Sequence, residues 1–250
     1  MSTRTAYRSV TRAQIREALL LDLTTLDDST HILRLPAEAD FQYSAITELL
    51  ITNLKYVLEL HGLRNEASRS LVVVEFLKDG LISFGNRHLH IVPQSRERYE
   101  NVDIVFSGIV DYSIGTKDLI SQLLVIEVKA GMDREAAETQ LLVVAGCVLR
   151  RRLAETKATP VFAVLTDGAF FQFYAIDNRD STVYSSRVIY LDYRANPDFA
   201  SYGDLKEVVT WFRWFLTLIT AVSPRSSPPQ IILDGSQDSL EALRRDFRLH

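Results

Sequence analysis

The chain has 250 residues, which suits one domain or a domain with an appendage and is ample for an apolar core. Its composition is that of an ordinary soluble globular protein, 47% hydrophobic and 24% charged with only 10 Gly and 7 Pro, and the net charge of −4 argues against a uniformly basic nucleic-acid binder. A single cysteine, Cys147, rules out an internal disulfide, and the longest apolar stretch, residues 211–222, is interrupted by Arg213 and too short to span a bilayer. With no apolar leader at the N-terminus, a cytosolic or nuclear protein is expected.

Residues 11–23 read as a helix opening on Thr11-Arg-Ala-Gln14, a capping-box pattern. After a polar loop through residues 27–30, a second helix is expected over 41–60, stopping at His61-Gly62. Residues 71–77 and 81–92 look like two strands joined by Lys78-Asp79-Gly80, since Asp-Gly is a strong hairpin signal. Two further strands follow, over 103–112 and 123–130, with Gly115-Thr-Lys-Asp118 as the turn between them. A long helix over 132–156 is apolar around most of its girth, as expected where it lies on a sheet, and Cys147 falls on it as a buried, inert residue. Strands over 160–165 and 170–176 bracket a second Asp-Gly turn at Thr166-Asp-Gly-Ala169, another strand is expected over 182–193, and a final helix over 204–222 carries Trp211, Phe212, Trp214 and Phe215 as core residues. The order of helices and strands predicts an α/β sandwich around a mixed sheet. Residues 1–40 are expected as an N-terminal helical extension, 41–222 as the main domain, and 223–250 as a linker and C-terminal tail opening on the Ser/Pro segment 223–229.

The run Leu123-Leu-Val-Ile-Glu-Val-Lys-Ala130 is apolar at both strand parities, as in a central strand covered on both faces, so Glu127 and Lys129 are anomalous there. Burying a charge is costly unless it is paired or holds a metal. Alternate strand residues share a face, so Glu127 and Lys129 point the same way while Val128 packs on the other side. Asp111 lies sixteen positions before Glu127. If the two runs pair as an antiparallel hairpin, two acids and a lysine converge; the bland alternative is a cross-strand ion pair.

An aspartate, a variable spacer, then acid, any residue and lysine resembles the signature of the PD-(D/E)XK nuclease superfamily, over about residues 41–177. Val110 stands in place of the proline of the motif's name, and Val144 where some branches carry a tyrosine. The resemblance implies a restriction-endonuclease-like three-layer sandwich, a mixed central sheet flanked by helices. It assigns catalytic roles to Asp111, Glu127 and Lys129, adds Glu48 on the helix preceding the sheet, and places Gln140 on the helix after the lysine strand. It also implies Mg²⁺ or Mn²⁺ held by Asp111, Glu127, the carbonyl of Val128 and Glu48, with Lys129 orienting or acidifying the attacking water. For Glu48 the alternative is an ordinary exposed helix carboxylate, and for Gln140 a structural amide. Ile126-Glu-Val-Lys-Ala130, Gln140 and Leu165-Thr-Asp-Gly168 look most like the compact nuclease domains of fungal and other eukaryotic effector or mobile-element proteins.

His88 and His90 have the spacing of a zinc pair, but without a third ligand they read as a polar strand face. No Gly-x-Ser-x-Gly and no phosphate-cradling glycine loop is present. Arg4, Arg8, Arg12 and Arg16 would form a basic stripe on a continuous helix, and Arg150 and Arg151 end the helix after the motif, so Arg12, Arg16, Arg150 and Arg151 are candidate nucleic-acid contacts; helix-end and solvated-face roles compete. The expectation is a metal-dependent nuclease acting on DNA, with RNA less favoured. The alternative is a non-catalytic module that keeps the fold and holds nucleic acid or a partner protein. A homodimer is compatible with the chemistry, since cutting both strands often uses two sites.

Overall fold

The computed structural model describes residues 3–6, 10–27, 32–36, 45–83, 89–100, 104–116, 122–129, 133–155, 159–194, 199 and 203–222. Within them eight strands form one mixed sheet. Strand β1 (Thr3–Ala6) is followed by helix α1 (Arg12–Leu19), the short α2 (Thr24–Asp27), α3 (Glu48–Leu60) and α4 (Glu66–Ser83). Then come β2 (Leu89–Glu100), β3 (Ile104–Thr116), β4 (Gln122–Val128), α5 (Arg134–Ala154), β5 (Val161–Thr166), β6 (Phe170–Ile176), β7 (Val183–Ser185), β8 (Ile189–Tyr190) and α6 (Gly203–Val222).

Strand β3 pairs antiparallel with β2 along one edge. Its other edge is shared, β1 running parallel to residues 104–107 and β4 antiparallel to 112–115. The chain leaves β4, crosses through α5 and returns as β5 parallel to β4, which is the connection parallel pairing requires. β6 pairs antiparallel with β5, and β7 and β8 share its far edge. Two apolar cores sandwich the sheet. One gathers α3, α4 and α6 against Leu124, Ile126 and Val128 of β4; the other gathers α1 and α5 against Val125. Among the described residues, no helix is long and apolar enough to cross a membrane.

Several expected elements stand as read. Thr11 caps α1 in a reciprocal box with Gln14, α3 ends at Gly62 in the left-handed region (φ 60°), and Gly168 (φ 80°) turns β5 into β6. Cys147 is buried in α5, and Trp211, Phe212, Trp214 and Phe215 are core. The strand expected over 182–193 is broken into β7 and β8. β3 runs past the expected end at 112 to Thr116, so Asp111 stands within it. The helix expected from 41 begins at Glu48, with Thr47 as its extended cap, and the turn at Lys117 and Asp118, residues 41–44, Arg8, His88 and the linker and tail from 223 lie outside the described residues.

Two corrections matter. The hairpin expected at Lys78-Asp79-Gly80 is the last turn of a continuous helix, α4, whose buried Val72, Val73, Phe76, Leu77 and Gly80 follow helical spacing. Asp79 is no turn residue: its carboxylate accepts from Arg213 Nη2 at 2.8 Å and from Thr47 Oγ1 at 2.7 Å, with both charged side chains buried. Gly80 is there for contact rather than bending, since a Cβ at this position would lie 2.5 Å from Leu216 Cδ1 of α6. The second correction concerns the arginine stripe. Arg4 lies in β1, so no continuous helix carries residues 4–16.

Candidate functional site

Glu127 and Lys129 lie at the carboxyl end of β4, on the face that α5 covers. Lys129 Nζ is 2.7 Å from Glu127 Oε1, and the two are 6% and 1% exposed, so the pair is withdrawn from water. Gln140, on the first turns of α5, donates from Nε2 to the same Glu127 oxygen at 2.5 Å. The N-terminal part of α5 is held by Asp133, which caps it through Glu135 N–H, and by Arg134, which donates to Gln172 of β6 at 2.8 Å. Lys129 N–H donates to the Thr166 carbonyl at 2.9 Å, extending the β4–β5 ladder to the lysine itself.

Asp111 enters from β3. The β3–β4 ladder ends at the Tyr112–Ile126 pair, and beyond it Asp111 Oδ2 accepts the Val128 N–H at 2.7 Å. A side chain thus takes over where main-chain pairing stops. On its other side β3 is also irregular: Pro93 and Ser95 pair with Tyr112 and Val110, and Gln94 between them has φ 48°. Val110 packs into the α5 core whereas Tyr112 packs against the opposite one, so the strand changes face across Asp111.

Burial, and after it the charge of Asp111, pushes the Glu127 carboxyl up to about 7 against the pull of Lys129. Burial opposes the Lys129 ammonium, but Glu127, then Asp111 and Glu66, outweigh it and hold its pKa above the ordinary lysine value. Two acceptor oxygens, Glu127 Oε2 and Gln140 Oε1, are buried and find no hydrogen-bond donor among the described residues. An unmet buried acceptor on a carboxylate is what a cation would satisfy.

Two exposed acids of the helical layer, Glu48 and Glu66, stand at helix starts. Glu66 opens α4, and its charge reaches both Glu127 and Lys129. Glu48 is exposed and follows Thr47, which is bonded to Asp79. Asp79 stands thirteen residues along α4 from Glu66, about 20 Å at 1.5 Å per residue. A signal for Glu66 was present in the sequence: Asn65 and Ser68 form a reciprocal cap, Asn65 Oδ1 accepting from Ser68 N–H at 2.9 Å and Ser68 Oγ from Asn65 N–H at 3.1 Å.

The candidate nucleic-acid arginines are largely engaged within the fold. Arg12 is bonded to Glu138 at 2.5 Å and Arg151 to Glu97 at 3.0 Å. Arg150 donates to the Leu19 and Leu20 carbonyls at 2.6 and 3.0 Å, closing the C-terminus of α1. Arg16 is exposed on α1.

Among the described residues no three His, Cys, Asp or Glu side chains gather as a metal-holding group by themselves. The donor set still suits Mg²⁺, which is commonly held by one or two carboxylates and keeps several waters. Asp111 and Glu127 supply two carboxylates, Gln140 Oε1 a neutral oxygen, and Val128 a main-chain carbonyl between them. No protein-family model and no curated protein matches the chain.

Proposed function

We propose that the protein is a metal-dependent nuclease of the restriction-endonuclease-like type, hydrolysing phosphodiester bonds of DNA in preference to RNA, with Mg²⁺ or Mn²⁺ as cofactor. One observation carries the reading: a buried acid–lysine pair at the carboxyl end of β4, with Asp111 bonded to the main chain between them and, among the described residues, buried acceptor oxygens on Glu127 and Gln140 that meet no donor. Ligands of open α/β sheets bind outside the carboxyl ends of strands. The succession α4, β2–β3–β4 antiparallel, α5, then β5 parallel to β4 supports the fold assignment.

Asp111, Glu127 and the Val128 carbonyl would hold the cation, with Glu66 in the place expected for Glu48. Bound there, it supplies charge neutralisation at the phosphate and lowers the pKa of a water. Lys129 keeps its proton and offers it toward the developing negative charge. Gln140 fixes Glu127 by occupying one of its oxygens, which leaves the other for the cation. Function on nucleic acid suits a cytoplasmic or nuclear setting, and a homodimer would bring two such sites to the two strands of a duplex.

A second reading has its own observation. Glu127 Oε1 is already shared by Lys129 and Gln140, a pairing that could serve a non-catalytic module holding nucleic acid or a partner protein. One assay separates them. Purified protein is incubated with plasmid, single-stranded DNA and RNA in EDTA, Mg²⁺ or Mn²⁺. Metal-gated cutting should fall at least ~10³-fold in Asp111→Ala, about 4 kcal/mol of barrier, and be abolished in Lys129→Ala. Cutting that persists in both variants removes these residues from the reaction, and binding without cutting, indifferent to metal, favours the module.

A further inference from the structure

A cavity of about 780 Å³ lies between α3, the turn at Gly62, the start of α4 and the segment after β8. Its volume is that of a small-ligand site. Its lining approaches the candidate centre through α4 and the turn after β5. Arg69, which lines it, is three residues after Glu66 on α4, so the two side chains are neighbours about 5–6 Å apart at Cβ. Arg69 Nη1 donates to the Asp167 carbonyl and carboxylate at 2.7 and 2.5 Å, and Asp167 directly follows Thr166, to which Lys129 is bonded.

The lining has two chemistries. Lys55 and Arg194 bring positive charge against Glu59 and Asp192, while Arg69 is matched by Asp167. Among the described residues, the buried Arg69 Nε meets no acceptor and the exposed Arg194 guanidinium has no ion-pair partner. Tyr193 supplies the second element. Its hydroxyl donates to the Gly168 carbonyl at 2.7 Å and its ring meets Phe199 edge-on at 5.8 Å, so its orientation is locked from both ends. A fixed aromatic ring in a cavity that Leu58 and Leu63 also line, with the Lys55 and Arg194 cations on the same lining, matches a base and its phosphate.

Resting on the nuclease reading above, we propose that this cavity seats an unpaired nucleotide adjoining the phosphate to be cut, so that the substrate is DNA with a single-stranded segment. A duplex buries its base faces in its own stack and presents none to a recessed ring, whereas an unstacked base can enter.

The test uses the full chain in EDTA and follows fluorescence anisotropy of a labelled single-stranded oligonucleotide, the matching duplex, and competition by free thymidine monophosphate. Wild type should bind the single strand at least about tenfold more tightly than the duplex, and Tyr193→Ala should remove about tenfold of single-strand affinity, the worth of one stacked base. Arg194→Glu, at an exposed position that packing does not depend on, should weaken single-strand binding with far less effect on duplex. Equal losses for both forms, unchanged single-strand binding in both variants, or capture of thymidine monophosphate without capture of the strand would overturn the proposal. If plasmid is cut in Mg²⁺ but single strands gain no preference, the cavity assignment fails and the nuclease reading stands. If nothing is cut and nothing bound, the nuclease reading fails first.

Discussion

Replacing Asp79 by alanine tests the helical reading of residues 66–83 at the point where the sequence pointed to a hairpin turn. In the structure Asp79 and Arg213 are 7% and 5% exposed, with Arg213 Nε and Nη2 at 3.1 and 2.8 Å from Asp79 Oδ2. Truncating one member of a buried ion pair strands the other charge and costs about 3–5 kcal/mol. Arg213 Nη1 keeps its bond to the Ala45 carbonyl at 2.6 Å, and Thr47 keeps its capping bond to Leu50 N–H, so the lower end of that range is expected. Equilibrium urea unfolding should show it as a midpoint shift on the order of 1 M or more. The double variant Asp79→Leu/Arg213→Met, which removes both charges and keeps apolar volume, should recover most of the loss. A loss below about 1 kcal/mol for Asp79→Ala, the usual size at an exposed turn, would refute the burial of this pair and with it the packing of α4 on α6.

Glu66→Ala should lower metal-dependent cutting by ~10²-fold or more while Glu48→Ala stays close to wild type, since a catalytic contact is worth several kcal/mol and an exposed carboxylate far from the centre almost nothing; the reverse ranking in a kcat/KM comparison would return the role to Glu48. Because the folded Glu127 carboxyl is raised from 4.5 to about 7, the metal-free fold binds more protons than the unfolded chain between those values, so this group's contribution falls across that window and is fully lost once pH passes about 7. Unfolding without metal should therefore show wild type losing up to ~3 kcal/mol relative to Glu127→Gln between about pH 5 and pH 8, with added Mn²⁺ restoring wild type at the higher pH only. A pH-independent difference between the two would contradict it. Gly80→Ala should destabilise by roughly 1 kcal/mol in a thermal melt, overpacking against Leu216 outweighing alanine's helix preference, and a stabilised variant would show that the helices are not in contact there. Arg150→Ala should lower the free energy of unfolding by about 1 kcal/mol through the freed α1 carbonyls, whereas a change confined to the salt dependence of DNA binding would make it a phosphate contact.

The legible parts of the fold are those where local chemistry and tertiary demand agree. Thr11 with Gln14, Gly62 at the end of α3, and Gly168 between β5 and β6 each solve a backbone problem within a few residues, and each was readable. Residues 71–83 were misread because two local signals conflict with a third. Leu71-Val-Val-Val favours a strand by side-chain branching and Asp79-Gly80 favours a turn, yet the buried set Val72, Val73, Phe76 and Leu77 has helical period. What settles the contest is absent from the segment itself: Arg213 and Leu216, more than a hundred residues away, receive Asp79 and Gly80. A buried aspartate beside a glycine looks identical in sequence whether it faces water in a turn or a guanidinium under a helix.

The site divides in the same way. Glu127 and Lys129 were visible because charge in a doubly covered strand has few explanations, and Asp111 because a neighbouring strand can deliver it; the structure brings all three together with Gln140. Glu48 follows from position in the order of elements when residues 71–83 read as strands, which makes 41–60 the last helix before the sheet. With α4 restored, the helix that abuts β4 starts at Glu66, whose charge is felt at both members of the buried pair. The electrostatics follow from this placement. An acid at the mouth raises both partners, making Glu127 harder to ionise and Lys129 harder to neutralise, so a divalent cation is what would relieve the excess negative charge while leaving the lysine protonated.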